Sequence, residues 1–237
     1  MISVVIPALN EARYINKTLK DCFEYFSRKE APFELIVVDD GSRDGTSGKV
    51  EEFAASHHGG RHVKLIRNRA NRGKGYSLRR GVLQSRGNIV LITDTDLSTP
   101  LREFEKMSAF IPEYDIVIAS RGLKESKKLI RQTWLRGAMG RMFNLLVRTF
   151  LFDGYYDTQC GFKIFKGDAA RYLFRRQKIR RFAFDIEVLG IAIKKGYKIK
   201  EVPVHWVNRR ETRVRIVRDS IDMFFSIFRL RRILKKC

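Results

Sequence analysis

Short apolar runs alternate with longer amphipathic stretches through the first half of the chain. Residues 2–6 read as a buried strand closed by Pro7, and Asn10-Glu11 opens a helix reaching about Phe26. Tyr14, Ile15, Leu19, Cys22, Phe23 and Phe26 recur along it at helical spacing. Runs 33–38, 63–66, 89–93 and 115–119 repeat the strand pattern, while 43–55, 71–84 and a stretch from Pro100 repeat the helical one. Strands apolar on both faces, alternating with helices, predict an α/β chain on a mostly parallel, doubly wound sheet. Ligands of such sheets bind outside the carboxyl ends of the strands. Pro7-Ala8-Leu9-Asn10, Asp39-Asp40, Asp94-Thr95-Asp96 and Ser120-Arg121 all fall there, so four polar clusters are expected on one edge.

After residue 122 the pattern changes. Residues 124–131 read as a basic loop, and 134–152 as a helix whose Trp, Leu, Met and Phe are interspersed with Arg136, Arg141 and Arg148. A polar turn over 157–163 leads into a short strand; 183–194 are helical, 199–206 a strand, and 215–234 a basic amphipathic helix. No repeat or linker interrupts this order. One domain is expected over 1–215, with 124–152 as an amphipathic, membrane-proximal segment, followed by a basic amphipathic helix over 216–237.

Charge sharpens the division. The 237 residues carry a formal +22, yet residues 1–119 hold 18 Lys and Arg against 16 Asp and Glu, whereas 120–237 hold 30 against 10. A near-neutral half followed by a strongly basic one points to a conventional site beside a surface that meets polyanions. Cys22, Cys160 and Cys237 are odd in number and widely spaced, which predicts free thiols in a reducing compartment. Residues 1–7 lack a basic leader region, and no uncharged run approaches the roughly 20 residues needed to span a bilayer. No signal peptide and no transmembrane helix are expected. The basic helices leave association with a membrane surface open.

Two aspartates one residue apart end the run 88–93. On a strand, positions i and i+2 share a face, so Asp94 and Asp96 could meet one hard cation with Thr95 turned away. The alternative is a helix cap at Ser98-Thr99-Pro100 with the aspartates favouring its dipole. Asp39-Asp40-Gly41-Ser42 places carboxylates where a ribose hydroxyl or base edge could bond, or forms a plain Asp-Gly turn. Asn71-Arg72-Gly73-Lys74-Gly75 sets a cation at a helix start, suited to phosphate. It is not a Walker A loop, and there is no G-x-G-x-x-G fingerprint.

Together with 4–11, these motifs resemble, in order, those of family 2 glycosyltransferases of the GT-A (Rossmann-like) fold. Downstream, Asp157-Thr158-Gln159-Cys160-Gly161-Phe162-Lys163 and Phe182-Ala183-Phe184-Asp185-Ile186-Glu187 are similar to the dolichyl-phosphate β-glucosyltransferase branch, kin of dolichol-phosphate mannose synthases. The resemblance implies nucleotide-sugar contacts from Pro7, Asn10, Glu11, Asp39, Asp40, Lys74, Asp94 and Thr95, the last standing where alanine is usual. It implies Mg²⁺ or Mn²⁺ on Asp94 and Asp96. Asp96, Arg121, Asp157, Gln159, Asp185 and Arg209 would serve catalysis, with Glu187 beside them and Arg209 and Arg213 on the acceptor phosphate. Asp185 and Glu187 could instead cap a helix and pair with Arg180 or Arg181, and Arg209 could be solvated.

The expected activity is inverting transfer of a hexose to dolichyl or another polyprenyl phosphate at the cytoplasmic face of a membrane. The donor is UDP-glucose, or alternatively GDP-mannose. A nucleic-acid-binding role would use the charge but leaves the carboxylate clusters unexplained, so no nucleic acid is expected.

Overall fold

The computed structural model describes residues 1–56, 60–128, 142, 145–207, 226, 227 and 229–234. The first half follows the expected order: β1 (Ile2–Ala8), α1 (Ile15–Ser27), β2 (Phe33–Asp39), α2 (Thr46–Ala55), β3 (Val63–Arg67), α3 (Lys74–Leu83), β4 (Ile89–Ile92), α4 (Glu103–Ser108) and β5 (Ile116–Ser120). Then come β6 (Lys127–Lys128), β7 (Lys163–Lys166), α5 (Gly167–Arg176), α6 (Phe184–Lys194), β8 (Ile199–Pro203) and β9 (His205–Trp206). Seven strands form one sheet in the order β3-β2-β1-β4-β7-β5-β8, and β6 pairs with β9 beside it.

Alternation along the strands sends residues to opposite faces. Val4, Ile6, Leu35, Val37, Leu91, Val117 and Ile164 face a cluster closed by Ile15, Leu19, Cys22 and Phe26 of α1 and Phe104 of α4. Val5, Ile36, Val38, Val90, Ile92, Ile118 and Phe165 face a second cluster, closed by Leu78, Val82, Leu173, Phe174, Val188 and Leu189 from α3, α5 and α6. Each such fully buried side chain contributes about 1.5–3 kcal/mol.

All strand pairs in the large sheet are parallel except those of β7, which runs antiparallel between β4 and β5. Topology supplies the reason. The chain returns to the sheet from a turn at the carboxyl edge, so the next strand must run away from that edge. Lys163, its first residue, therefore lies level with Ile92, the last residue of β4, and with Ile118 of β5.

Four local expectations change. Helix α1 starts at Ile15, because Glu11 and Tyr14 first form a turn (Tyr14 N to Glu11 O, 2.9 Å). Helix α5 lies in a stretch for which the pattern gave no element. The expected strand 199–206 divides into β8 and β9, which join different sheets. Of the expected helix 215–234, residues 226, 227 and 229–234 are helical and the remainder lies outside the described residues. Its Ile227 and Leu230 are buried with Val147, Ile179, Ala183 and Ile186, so this part of the helix packs inside the protein. Ile221, Phe224, Phe225 and Phe228 lie outside the described residues. So does much of the expected helix 134–152, of which 142 and 145–150 are helical.

Candidate active site

The ends of β1, β2, β4 and β5 converge on one edge. Asp39, register-paired with Ala8, closes β2 there. Its Oδ1 accepts the Ser42 amide at 2.9 Å and its Oδ2 accepts the Ser47 hydroxyl. Asn10 locks the same loop from β1. Its amide donates to Ser42 Oγ and its Oδ1 accepts the Arg43 amide, each at 2.8 Å. Asn10 has φ 52°, a left-handed conformation that asparagine tolerates better than most residues. The Glu11 amide donates to Thr46 Oγ1 at 2.8 Å, and Pro7 lies half-buried within β1.

Asp40 serves a different loop. Its Oδ1 accepts from Asn68 Nδ2 (2.7 Å) and the Arg72 amide (2.9 Å), and its Oδ2 from the Gly73 amide (2.8 Å). Expected against the donor, Asp40 is instead buried and committed to holding loop 71–73. Gly73 has φ 102°, and a Cβ there would stand 2.5 Å from Arg180 O, so only glycine lets this loop press on residue 180. Lys74, the first residue of α3, is thereby aimed at the sheet edge.

Its ammonium meets Asp94 Oδ1 at 2.6 Å. Strand alternation is not what places the two aspartates, because β4 has already ended at Ile92. Residues 94–97 form a turn closed by Leu97 N to Asp94 O at 3.2 Å, with Leu97 at φ 46°. Such a conformation costs a non-glycine residue of order 1–3 kcal/mol and is held by its surroundings. The Thr95 carbonyl accepts Thr18 Oγ1 at 2.5 Å, and Thr95 is buried, so it anchors the turn to α1. Asp94 and Asp96 stay half-exposed, and Asp96 Oδ1 accepts the Ser98 amide at 2.9 Å.

Arg121 and Asp157 form a bidentate pair, Nε to Oδ2 at 2.6 Å and Nη2 to Oδ1 at 2.9 Å. The Arg121 amide adds a bond to Oδ2 at 2.9 Å, and the Gln159 amide one to Oδ1 at 3.1 Å. Glu201 of β8 accepts the Asp157 amide at 2.7 Å, and the guanidinium lies 5.6 Å from the Trp206 ring centroid. Beneath this, Lys163 Nζ donates to Asp185 Oδ1 (2.5 Å) and to the Cys160 carbonyl (2.6 Å). Both residues are buried, so Asp185 pairs with Lys163 rather than with Arg180 or Arg181. Glu187 is buried in α6, and its carboxylate accepts the Lys178 and Ile179 amides at 3.0 and 2.7 Å. Arg209 and Arg213 lie outside the described residues.

Burial opposes the charges here, and the pairings decide which survive. For Asp157, burial is outweighed by Arg121, which holds its pKa below the ordinary carboxylate value. For Asp94, burial is outweighed by Lys74, with help from Lys163 and Arg121. Lys74 resists burial through Asp94, Asp185 and Asp96, which hold its pKa above the usual lysine range. Asp185 goes the other way: burial pushes its pKa up despite Lys163 and Lys74. The edge thus presents an alternating set of charges, Lys74, Asp94, Lys163, Asp157 and Arg121.

Lys163 holds Asp185, and Gly161 packs against Asp94, two placements that sequence reasoning left unassigned. The available signal was a lone lysine opening an apolar strand directly after Gly161-Phe162.

The sheet order with one reversed strand, flanked by helices and edged with carboxylates, defines a GT-A-type glycosyltransferase. Residues 3–174 match the model of Glycosyl transferase family 2, and the chain belongs to that family. It is 35% identical over 233 residues to a dolichyl-phosphate beta-glucosyltransferase of Trichomonas vaginalis, covering 92% of this chain and 68% of that protein. The human dolichyl-phosphate beta-glucosyltransferase is 33% identical over 217 residues, covering 86% of this chain and 67% of that protein. Glucosyl-3-phosphoglycerate synthase from Mycobacterium tuberculosis, solved with Mn²⁺, UDP-glucose and phosphoglyceric acid, superposes with a TM-score of 0.71. Its sequence is 19% identical, and the match covers 98% of this chain and 79% of that one. At that identity the likeness is one of fold. Among the described residues, no helix is long and apolar enough to cross a membrane.

Proposed function

We propose that this chain transfers glucose from UDP-glucose to dolichyl phosphate or a related polyprenyl phosphate, inverting the anomeric centre. The observation that carries the reading is the convergence of Lys74, Asp94, Asp96 and the Arg121/Asp157 pair on one strand edge. Similarity to dolichyl-phosphate beta-glucosyltransferases supplies the donor and acceptor classes. Asp39, Asn10, Pro7 and Glu11 frame the nucleoside, Lys74 reaches the diphosphate, and Arg121 and Gln159 face the reacting phosphate. Arg209 and Arg213 belong to the acceptor phosphate on sequence grounds.

A divalent cation fits Asp94 and Asp96. Both offer half-exposed hard oxygens, and Asp94 already meets a cation, the Lys74 ammonium. Among the described residues no group of three His, Cys, Asp or Glu forms a metal cage; phosphate oxygens of the donor and water would complete the ligand set. Mg²⁺ or Mn²⁺ held there would neutralise charge developing on the departing UDP. The acceptor needs little help losing a proton, because a phosphate monoester has a second pKa of about 6. Its oxygen attacks the anomeric carbon in line as the bond to UDP breaks, turning an α-linked donor into a β-linked lipid-phosphate sugar. Arg121, held in place by its bidentate bonds to Asp157, orients the incoming phosphate. Asp185, sealed against Lys163, is a positioning residue.

The acceptor's tail stays in a bilayer, so the enzyme works as a peripheral protein at a membrane surface, assigned here to the cytoplasmic face. Met142, Leu145, Phe150 and Tyr156 are exposed apolar side chains gathered in one stretch, directly before Asp157. Basic residues near an anionic leaflet add about 1 kcal/mol each. The domain division, 1–215 with a C-terminal helix 216–237, remains part of this proposal.

The test is transfer from UDP-glucose to polyprenyl phosphate in EDTA, then in added Mg²⁺ or Mn²⁺, for the native chain and Asp96→Asn. Activity lost in EDTA, restored by metal and abolished in Asp96→Asn is expected. Full activity in excess chelator would overturn the metal assignment.

A further inference from the structure

Lys74 Nζ stands 2.6 Å from Asp94 Oδ1, and the charges of Asp94, Asp185 and Asp96 all act on it. One of the two carboxylates that fit a divalent ion is therefore already answered by a cation of the chain itself. The backbone beneath Lys74 is fixed, with Gly73 bonded to Asp40 and pressed on residue 180. Its side chain is a flexible four-carbon stem carrying a point charge. The ammonium can leave Asp94 by rotation alone.

We infer that Lys74 is a built-in competitor for the divalent cation. In the free protein it occupies Asp94, and it gives up that carboxylate only when a nucleoside diphosphate supplies phosphate oxygens for the ammonium to move onto. The exchange leaves no charge bare. Asp94 passes from Lys74 to the metal, and Lys74 passes from Asp94 to a phosphate. Metal alone is then a weak ligand, while metal and diphosphate enter together, each raising the other's affinity by the same factor. Metal-independent breakdown of the donor is disfavoured by the same device, because neither partner settles alone. The inference rests on the reading above that Asp94 and Asp96 receive the metal.

A pair that is only structural behaves differently when broken. Losing Lys74 would then leave metal binding unchanged or weaker. A competitor's loss strengthens it.

The experiment is Mn²⁺ titration of the full chain, followed by electron paramagnetic resonance of free Mn²⁺, with and without UDP. Native protein, Lys74→Met, Lys74→Gln, Lys74→Arg and Asp96→Asn are compared, with thermal melts as the check on folding. Without UDP, Lys74→Met and Lys74→Gln should bind Mn²⁺ about tenfold more tightly than the native chain, about 1.4 kcal/mol, while Lys74→Arg stays weak. UDP should raise native Mn²⁺ affinity far more than that of either neutral variant. Equal or weaker Mn²⁺ binding by both folded neutral variants without UDP overturns the role of Lys74. Mn²⁺ binding untouched by Asp96→Asn overturns the underlying site reading instead.

Discussion

Gly161 faces Asp94 so closely that a Cβ on it would stand 2.1 Å from Asp94 Oδ2. The carboxylate that meets Lys74 therefore owes its position to a missing methyl on the turn before β7. Gly161→Ala should push Asp94 off its place while leaving both apolar clusters intact. An ångström of misplacement can cost about 100-fold in turnover. Steady-state kinetics should show that loss in kcat, with a melting temperature close to native.

Lys163 and Asp185 make a buried ion pair at 2.5 Å under the site. Removing one partner of such a pair strands the other and costs about 3–5 kcal/mol, whereas removing both can be nearly neutral. Lys163→Met should lower stability by that amount in urea unfolding. Lys163→Met with Asp185→Leu should recover much of it without recovering transfer. If Lys163→Met unfolds at the native urea midpoint, the pair has no structural weight.

Acid should reveal the pair formed by Arg121 and Asp157. The Asp157 pKa is depressed in the folded chain, so on acidification the unfolded chain takes up its proton first. The stability this adds is complete above the unfolded value of about 3.9 and is lost as pH falls through the depressed folded value. Unfolding free energies from pH 6 downward should show native and Asp157→Asn proteins far apart at pH 6 and converging below about pH 4. A constant gap would remove the linkage.

Strand periodicity gave β1 through β5, because strands with two buried faces read as unbroken apolar runs. It could not give the reversal of β7, which depends on where the chain re-enters the sheet. It also missed α5, whose apolar Ala169, Ala170, Leu173 and Phe174 are outnumbered by charge in the surrounding stretch. Asp94, Asp96 and Arg121 stand on one edge as their positions after strands implied, whereas Lys74 reaches it from the start of α3 and Asp157 from the turn before β7. Alternation failed for Asp94 and Asp96 because a turn, not a strand, carries them. For Asp40 and Glu187, sequence shows a carboxylate but not the backbone amides that bond to it.

The C-terminal helix separates packing from membrane contact. Leu230 is fully buried against α6 and its neighbours, so Leu230→Ala should cost about 2–5 kcal/mol of stability. Leu145 and Phe150 are exposed, 62% and 46%, and replacing both with serine should leave stability unchanged. That double variant should lose sedimentation with anionic liposomes at high salt, where screening removes the electrostatic part. Native-like sedimentation would move the membrane contact elsewhere on the chain.

Glucosyl transfer is tested by product formation from radiolabelled donors on dolichyl phosphate in Mg²⁺-containing vesicles. UDP-glucose and GDP-mannose are offered in parallel, and the anomeric configuration of the lipid product is read by nuclear magnetic resonance. A β-linked glucosyl phosphate lipid should form from UDP-glucose, and none from GDP-mannose. A mannosyl lipid, or an α-linked glucosyl product, would contradict the proposed function.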